Sequence, residues 1–237
     1  MNILYEDKEI IVVVKEPGVP VQSDKTKDKD MVNMLRNYVV DSKHGCERQK
    51  GIPFIGLVHR LDRPVGGVMV FAKTSDALKK LNKQITEGKV SKRYLAVVEA
   101  PNDENIVYEN INEKQWIELE DYLLKDGRTN VSKVVKNDVK GAKKATLYYR
   151  ILDIKENKIM LLDIKLITGR HHQIRVQMAN NKMPLVGDTK YNPHCEKGQV
   201  MLYSYTLGFK HPRTNKQLEY RHIPIHGEFA LFSYDNI

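Results

Sequence analysis

Two hydrophobic periods alternate along the chain. Runs of period two, or of unbroken β-branched residues, predict strands. Asn2 to Glu6 and Glu9 to Lys15 read as a hairpin about an Asp7-Lys8 turn, at the edge of a sheet. Val68 to Ala72 reads as a buried strand and Lys89 to Glu99 as an alternating one. Trp116 to Leu124 and Asn130 to Lys136 are weaker strands about Asp126-Gly127-Arg128, and Lys143 to Ile154 with Lys158 to Ile167 form a strong hairpin turning at Glu156-Asn157. Val200 to Phe209, covered on both faces, and Gln217 to His222 follow. Helical spacing appears three times. Asp30 caps a helix through about Val40, with Met31, Met34, Leu35 and Tyr38 on one face. Ser75 caps a second, with Leu78, Leu81 and Ile85 inward, Lys79, Lys80 and Lys83 outward, and Gly88 as its stop. The third follows Thr168-Gly169 and packs through Ile174 and Met178.

Composition narrows the partners. The 237 residues are 41% hydrophobic and 29% charged, ordinary for a soluble globular chain, and 39 basic against 30 acidic side chains give a net charge of +9. That balance favours a polyanion such as nucleic acid. The longest aliphatic run, Ile10 to Val14, falls far short of the roughly 18 residues of a membrane span, and Glu6, Asp7 and Glu9 stand where a signal peptide would be positive. A cytoplasmic protein is expected. Cys46 and Cys195 form no CxxC pattern, and neither His44 near Cys46 nor His194 beside Cys195 has the spacing of a zinc finger, so no metal site is expected. The polar loop from Ser42 to Pro53 is either an RNA-touching connection or solvated surface.

Two stretches carry candidate chemistry. Gly56 to Thr74, GLVHRLDRPVGGVMVFAKT, sets one carboxylate, Asp62, among His59, Arg60 and Arg63, with Pro64, Gly66 and Gly67 turning the chain into a strand. Neighbouring cations lower a carboxylate's pKa, so Asp62 is expected to be ionised, suited to nucleophilic attack or charge stabilisation and not to proton donation. A surface Arg-Asp pair in a turn is the plainer reading of the same residues. Leu166 to Ala179, LITGRHHQIRVQMA, puts Arg170, His171 and His172 in the first turn of a helix, where cations oppose the macrodipole and imply a bound anion. Arg175 lies one turn beyond His171. In PLVGDTKY, Asp188 reads as a turn aspartate, with a second acid as the alternative. Tyr94 by itself reads as a half-buried strand tyrosine.

In this order, HRLDRPVGGVMVFAKT, KRYLAVVE, TGRHHQIRVQMA and PLVGDTKY closely resemble the motifs of the RluA-type pseudouridine synthases, and the likeness runs from KEPGVPVQ at Lys15 to the C-terminal strands. HRLDR and TGRxHQIR together are specific; each alone is less so. RPVGG stands where Arg-x-Thr-Ser-Gly is commoner, and Gln177 where histidine is frequent. The resemblance implies an α+β fold: a long, mixed, largely antiparallel sheet with flanking helices and a central active-site cleft. It implies isomerisation of uridine in ribosomal or transfer RNA without cofactor or metal; a monomer that binds neither DNA nor membrane is expected. It makes Asp62 the catalytic aspartate, Tyr94 the residue against the target base, Arg175 the partner of Asp62, and Arg60 a residue that helps displace the nucleotide. His59, Arg63, Arg170, His172 and Gln173 are further candidates for holding substrate. A single catalytic domain over residues 1–237 is expected. Its first strand begins by Ile3, which leaves no room for the S4 RNA-binding domain of many relatives.

The implied reaction breaks the N1–C1′ bond, rotates the base, joins C5 to C1′ and removes the C5 proton. One ionised aspartate beside a cation suits it, whereas a hydrolysing glycosidase typically needs two carboxyl groups. Whether Asp62 would meet the sugar or the base is open at this level.

Overall fold

A computed structural model describes residues 1–23, 28–41, 52–101, 115–155, 158–234 and 237. The chain is an α+β protein whose described residues form eleven strands, three α-helices and a short 3-10 turn over Gly227–Leu231. It divides into two compact units, residues 1–90 with 206–222, and residues 91–205 with 223–237.

In the first unit β1 (Asn2–Glu6) pairs with β2 (Ile10–Lys15), and β2 with β4 (Gly66–Ala72), which also carries the two-residue β3 (Gly56–Leu57). All of these pairs are antiparallel. Flanked on both sides, β2 buries every residue, as its unbroken β-branched run requires. Helix α1 (Met31–Asp41) starts where the Asp30 carboxylate accepts the Asn33 N–H at 3.0 Å. Helix α2 (Ser75–Thr86) is capped one residue before the expected position, by Thr74 Oγ1 at 3.1 Å from the Ala77 N–H. Gly88, at φ +66°, ends it as expected. Ala77 and Leu81 of α2 pack with Ile10, Val12, Val68 and Val70 in one core.

In the second unit the strand order is β5 (Ser91–Glu99), β9 (Ile159–Leu166), β8 (Lys143–Ile154), β6 (Ile117–Asp126), β7 (Val131–Val135), again antiparallel at every step. Helix α3 (Gln173–Asn180) follows the turn after β9. Strand β10 (Leu202–Lys210) has residues in both units and pairs with β11 (Gln217–Arg221) in the first. Among the described residues no helix is long and apolar enough to cross a membrane. His44, Cys46, the Glu156-Asn157 turn and nearly all of the Ser42 to Pro53 loop lie outside the described residues.

Candidate active site

In the first unit Asp62 sits on the loop between β3 and β4. The turn closes before the glycines, with the Val65 N–H donating to the Asp62 carbonyl at 3.0 Å, and Gly66 and Gly67 open the strand. Gly67 takes φ +130° opposite Lys15. Under this loop lies the fully buried side chain of Lys15, at the end of a strand that is otherwise aliphatic. Its ammonium donates to the carbonyls of Val65 at 2.7 Å, Arg63 at 3.0 Å and Glu16 at 3.1 Å. Burial pushes the Lys15 ammonium down to about 8, with the charges of Asp62 and Glu16 pulling it upward and that of Arg63 downward. A single cation therefore ties the backbone just after Asp62 to the end of β2. The motif reading did not single it out; a lysine closing the run IIVVV was the signal.

The basic side chains around Asp62 take different jobs. His59 Nε2 accepts the Val70 N–H at 3.2 Å, carrying the β3–β4 ladder past the strand's end. Arg63 ties the loop to the Gly18 carbonyl at 3.0 Å and to the Asp28 carboxylate. Arg60 is exposed and, among the described residues, carries no ion pair or side-chain hydrogen bond. Of the three it is the one with its guanidinium available to a ligand.

In the second unit Tyr94 is only 6% exposed and pairs with Ile164 across β5 and β9. Strand alternation puts Lys92 and Tyr94 on one face and Arg93 on the other. There Arg93 meets Asp163, which is fully buried and also takes Arg150 Nε and the Tyr205 hydroxyl, both at 3.0 Å. An aspartate inside the apolar run IMLLDIKL was a legible signal of this anchor.

The turn after β9 departs from the expected helix start. Helix α3 begins at Gln173, so Arg170, His171 and His172 precede it, and His172 is left-handed at φ +52°. These three residues therefore stand in the turn before the helix and not within its first turn, where they were expected. Gln173 is buried: its carbonyl accepts from Thr168 Oγ1 at 2.7 Å and the Arg170 N–H at 3.0 Å, and its amide donates to Gln177 Oε1 at 2.9 Å and the Thr146 carbonyl at 3.2 Å. With every polar position used internally, it shapes the turn and does not present its amide to substrate. His172 is buried as well. The Tyr191 hydroxyl accepts the Ser132 N–H at 2.9 Å and pairs with His172 Nδ1, also at 2.9 Å. The Ser132 hydroxyl donates to the His171 carbonyl at 2.8 Å and receives His171 Nδ1 at 2.9 Å. The two imidazoles stack at 3.8 Å between centroids. Arg170 is exposed, its Nε on the Lys144 carbonyl at 2.9 Å.

Helix α3 is buried almost all round, Arg175 included at 5% exposure. A guanidinium there needs a counter-charge, and Asp188, 1% exposed, supplies it: Nε donates to Oδ2 at 2.7 Å and Nη2 to Oδ1 at 2.6 Å. The Tyr191 ring lies 5.3 Å from the guanidinium carbon. The Asp188 turn is hooked onto β5, since the Glu99 N–H donates to the Pro184 carbonyl at 2.9 Å and the Val186 N–H to the Val97 carbonyl at 3.0 Å. Asp188 thus makes the turn with its backbone, as expected, and clamps Arg175 with its carboxylate, which was not expected.

The antiparallel α+β fold thus carries an aspartate on a braced loop in its first unit and a buried arginine on a short helix in its second. Residues 9–180 match the family described as RNA pseudouridylate synthase, and the chain belongs to that family, in its RluA-type branch. The chain is 30% identical over 225 residues to a ribosomal large subunit pseudouridine synthase C of Buchnera aphidicola, covering 91% of this chain and 64% of that protein. It is 29% identical over 243 residues to a tRNA pseudouridine synthase C of Vibrio parahaemolyticus, covering 92% of this chain and 88% of the other. The chain thus spans about two thirds of the length of the first of these relatives. In fold it is similar to human RNA pseudouridylate synthase domain containing 1, with a TM-score of 0.73 at 18% identity, over 96% of this chain and 84% of the other. For human RNA pseudouridylate synthase domain containing 4 the TM-score is 0.70 at 21% identity, over 93% and 87%.

Proposed function

We propose that this chain converts uridines of structured ribosomal or transfer RNA to pseudouridine, with Asp62 as the catalytic carboxylate. The observation that carries the reading is the brace under Asp62: a fully buried lysine gives two of its three hydrogen bonds to the backbone of one short loop, at the Arg63 and Val65 carbonyls. Such a device suits a group that must be aimed within a fraction of an ångström. Asp62 meets the extruded nucleotide while the N1–C1′ bond breaks. The detached base turns on the platform of Tyr94, C5 joins C1′, and the C5 proton leaves. Arg175, oriented by Asp188, supplies the fixed positive charge. Arg60 and Arg170 meet phosphates or the displaced nucleotide.

The test is tritium release from transfer RNA and large-subunit ribosomal RNA transcripts labelled at uridine C5. The expected result is release at constant RNA mass, abolished in Asp62→Asn while RNA affinity stays within a few-fold of wild type. Release of free base would make the protein a glycosylase. Undiminished turnover in Asp62→Asn would remove Asp62 from the mechanism.

A further inference from the structure

Lys92 is half-buried at the start of β5, on the same face as Tyr94. Among the described residues its ammonium makes no hydrogen bond and no ion pair. Its position is defined by the turn after β9: a methyl group placed on Gly169 would lie 3.6 Å from Lys92 Nζ and within 4 Å of no other non-neighbouring atom. The Gly169 N–H likewise meets no acceptor among the described residues. Gly169 is exposed, and the exposed Arg170 follows it.

A cation withdrawn from water without a counter-ion is unfavourable unless something else supplies the negative charge. Burial pushes the Lys92 ammonium below the ordinary lysine value, and no carboxylate pulls it back. Arg93, its neighbour, is paired with Asp163, and Arg175 with Asp188. Each of those arginines has a carboxylate, and Lys92 has a glycine turn open to solvent. An ammonium beside a side-chain-free residue leaves room for an anion, and a phosphate oxygen can come close because Gly169 has no Cβ. Lys92 and Tyr94 are two residues apart on one strand face, roughly 7 Å along it, a span comparable with one nucleotide of extended backbone.

We propose that Lys92, facing the open turn at Gly169, binds a backbone phosphate of the RNA strand adjoining the nucleotide that rests on Tyr94. This rests on the reading of Tyr94 as the base platform. It makes Lys92 a residue that sets the strand's register, since phosphate contacts position a nucleic acid without reading its sequence.

The experiment measures binding of unmodified transfer RNA and large-subunit ribosomal RNA transcripts from about 0.05 to 0.3 M salt, with tritium release in parallel. Lys92→Met is expected to weaken binding about tenfold, the scale of one charge-assisted hydrogen bond, and to lower the salt slope by about 0.7. The rise in KM should exceed the fall in kcat, and Lys92→Arg should recover most of the affinity. Lys92→Met should melt no lower than wild type, because it relieves an uncompensated charge. Lys140→Met removes an exposed lysine of the same unit and serves as the charge-matched control. An unchanged salt slope in Lys92→Met, or an equal loss in Lys140→Met, overturns the proposal. So does a lowered melting temperature with unchanged affinity, which would make Lys92 a structural cation. Absence of tritium release from wild type would defeat the proposed function separately, since the binding arm is read without turnover.

Discussion

Asp188 grips Arg175 along the Nε–Nη2 edge, at 2.7 and 2.6 Å, with both side chains almost wholly withdrawn from solvent. The two bonds fix the plane of the guanidinium as well as its position. Any further carboxylate is therefore met by the remaining N–H groups from a set direction. The motif reading gives Arg175 one partner, Asp62; the structure shows that the arginine is aimed by another acid first.

Asp188→Asn should cost about 3 kcal/mol of stability, the lower range for breaking a buried ion pair, because the arginine is left charged and uncompensated. Turnover should fall by more than RNA affinity does. Chemical denaturation read beside single-turnover kinetics checks both. An unaltered kcat in a folded variant would mean that the clamp serves stability alone.

Lys15→Met leaves three backbone carbonyls without their donor and should destabilise the chain by about 1–3 kcal/mol for each acceptor that stays buried. The folded pKa of about 8 lies below the ordinary 10.5, so the folded chain releases this proton before the unfolded chain does. The contribution to stability is then fully present above 10.5 and is lost as pH falls through about 8. Activity should move the other way. A neutral amine has two N–H donors for three carbonyls, so turnover declines as pH rises through about 8 while melting temperature does not. A pH profile of kcat and of thermal unfolding, compared with Lys15→Met, separates the two.

Gly187→Ala should be among the more damaging single-methyl changes available. Gly187 has φ +74°, and a Cβ there would lie 2.0 Å from the Gln199 carbonyl oxygen, a backbone atom that cannot swing aside. The turn carrying Asp188 must shift, and Arg175 with it. The expected outcome is a fall in melting temperature accompanied by a loss of turnover; Gly88→Ala, also at positive φ but in open space, serves as the comparison.

Tyr94→Phe keeps the ring and should hold RNA affinity near wild type, since stacking is worth about 1–3 kcal/mol per base and the hydroxyl adds nothing to it. If the hydroxyl takes part in removing the C5 proton, this variant breaks the glycosidic bond and stalls, leaving RNA in a tight or covalent complex. Native and denaturing gels with stoichiometric RNA show the trapped species. Wild-type turnover confines Tyr94 to stacking, and unchanged activity in Tyr94→Ala returns it to an ordinary strand tyrosine.

Strands were legible wherever hydrophobic period and turn residues agreed. The Asn2 to Lys15 hairpin, the Lys143 to Ile167 hairpin and the two strands of the tail stand within a few residues of their expected bounds. Misplaced details share a cause: a side chain or backbone angle overrode local propensity. Thr74 and not Ser75 caps α2, and the left-handed His172 delays the start of α3 to Gln173. No periodicity reports these, because each depends on where one hydrogen-bonding atom comes to rest.

What the sequence by itself determined is the order of strands and helices and the family, both written in local pattern and motif, and it is motif that nominates Asp62, Tyr94 and Arg175 for the proposed chemistry. What only the tertiary structure decided is how those side chains are held. Lys15 reaches across 50 residues to the Val65 carbonyl, Asp188 across 13 to Arg175, and Tyr205 across 42 to Asp163. It also decided that Gln173 and His172 are spent inside the protein while Lys92 has no described counter-charge. The reason is physical: the cost of a buried polar group depends on the partner that folding brings to it, and that partner is set by strand pairing and turn geometry, not by its neighbours in the chain.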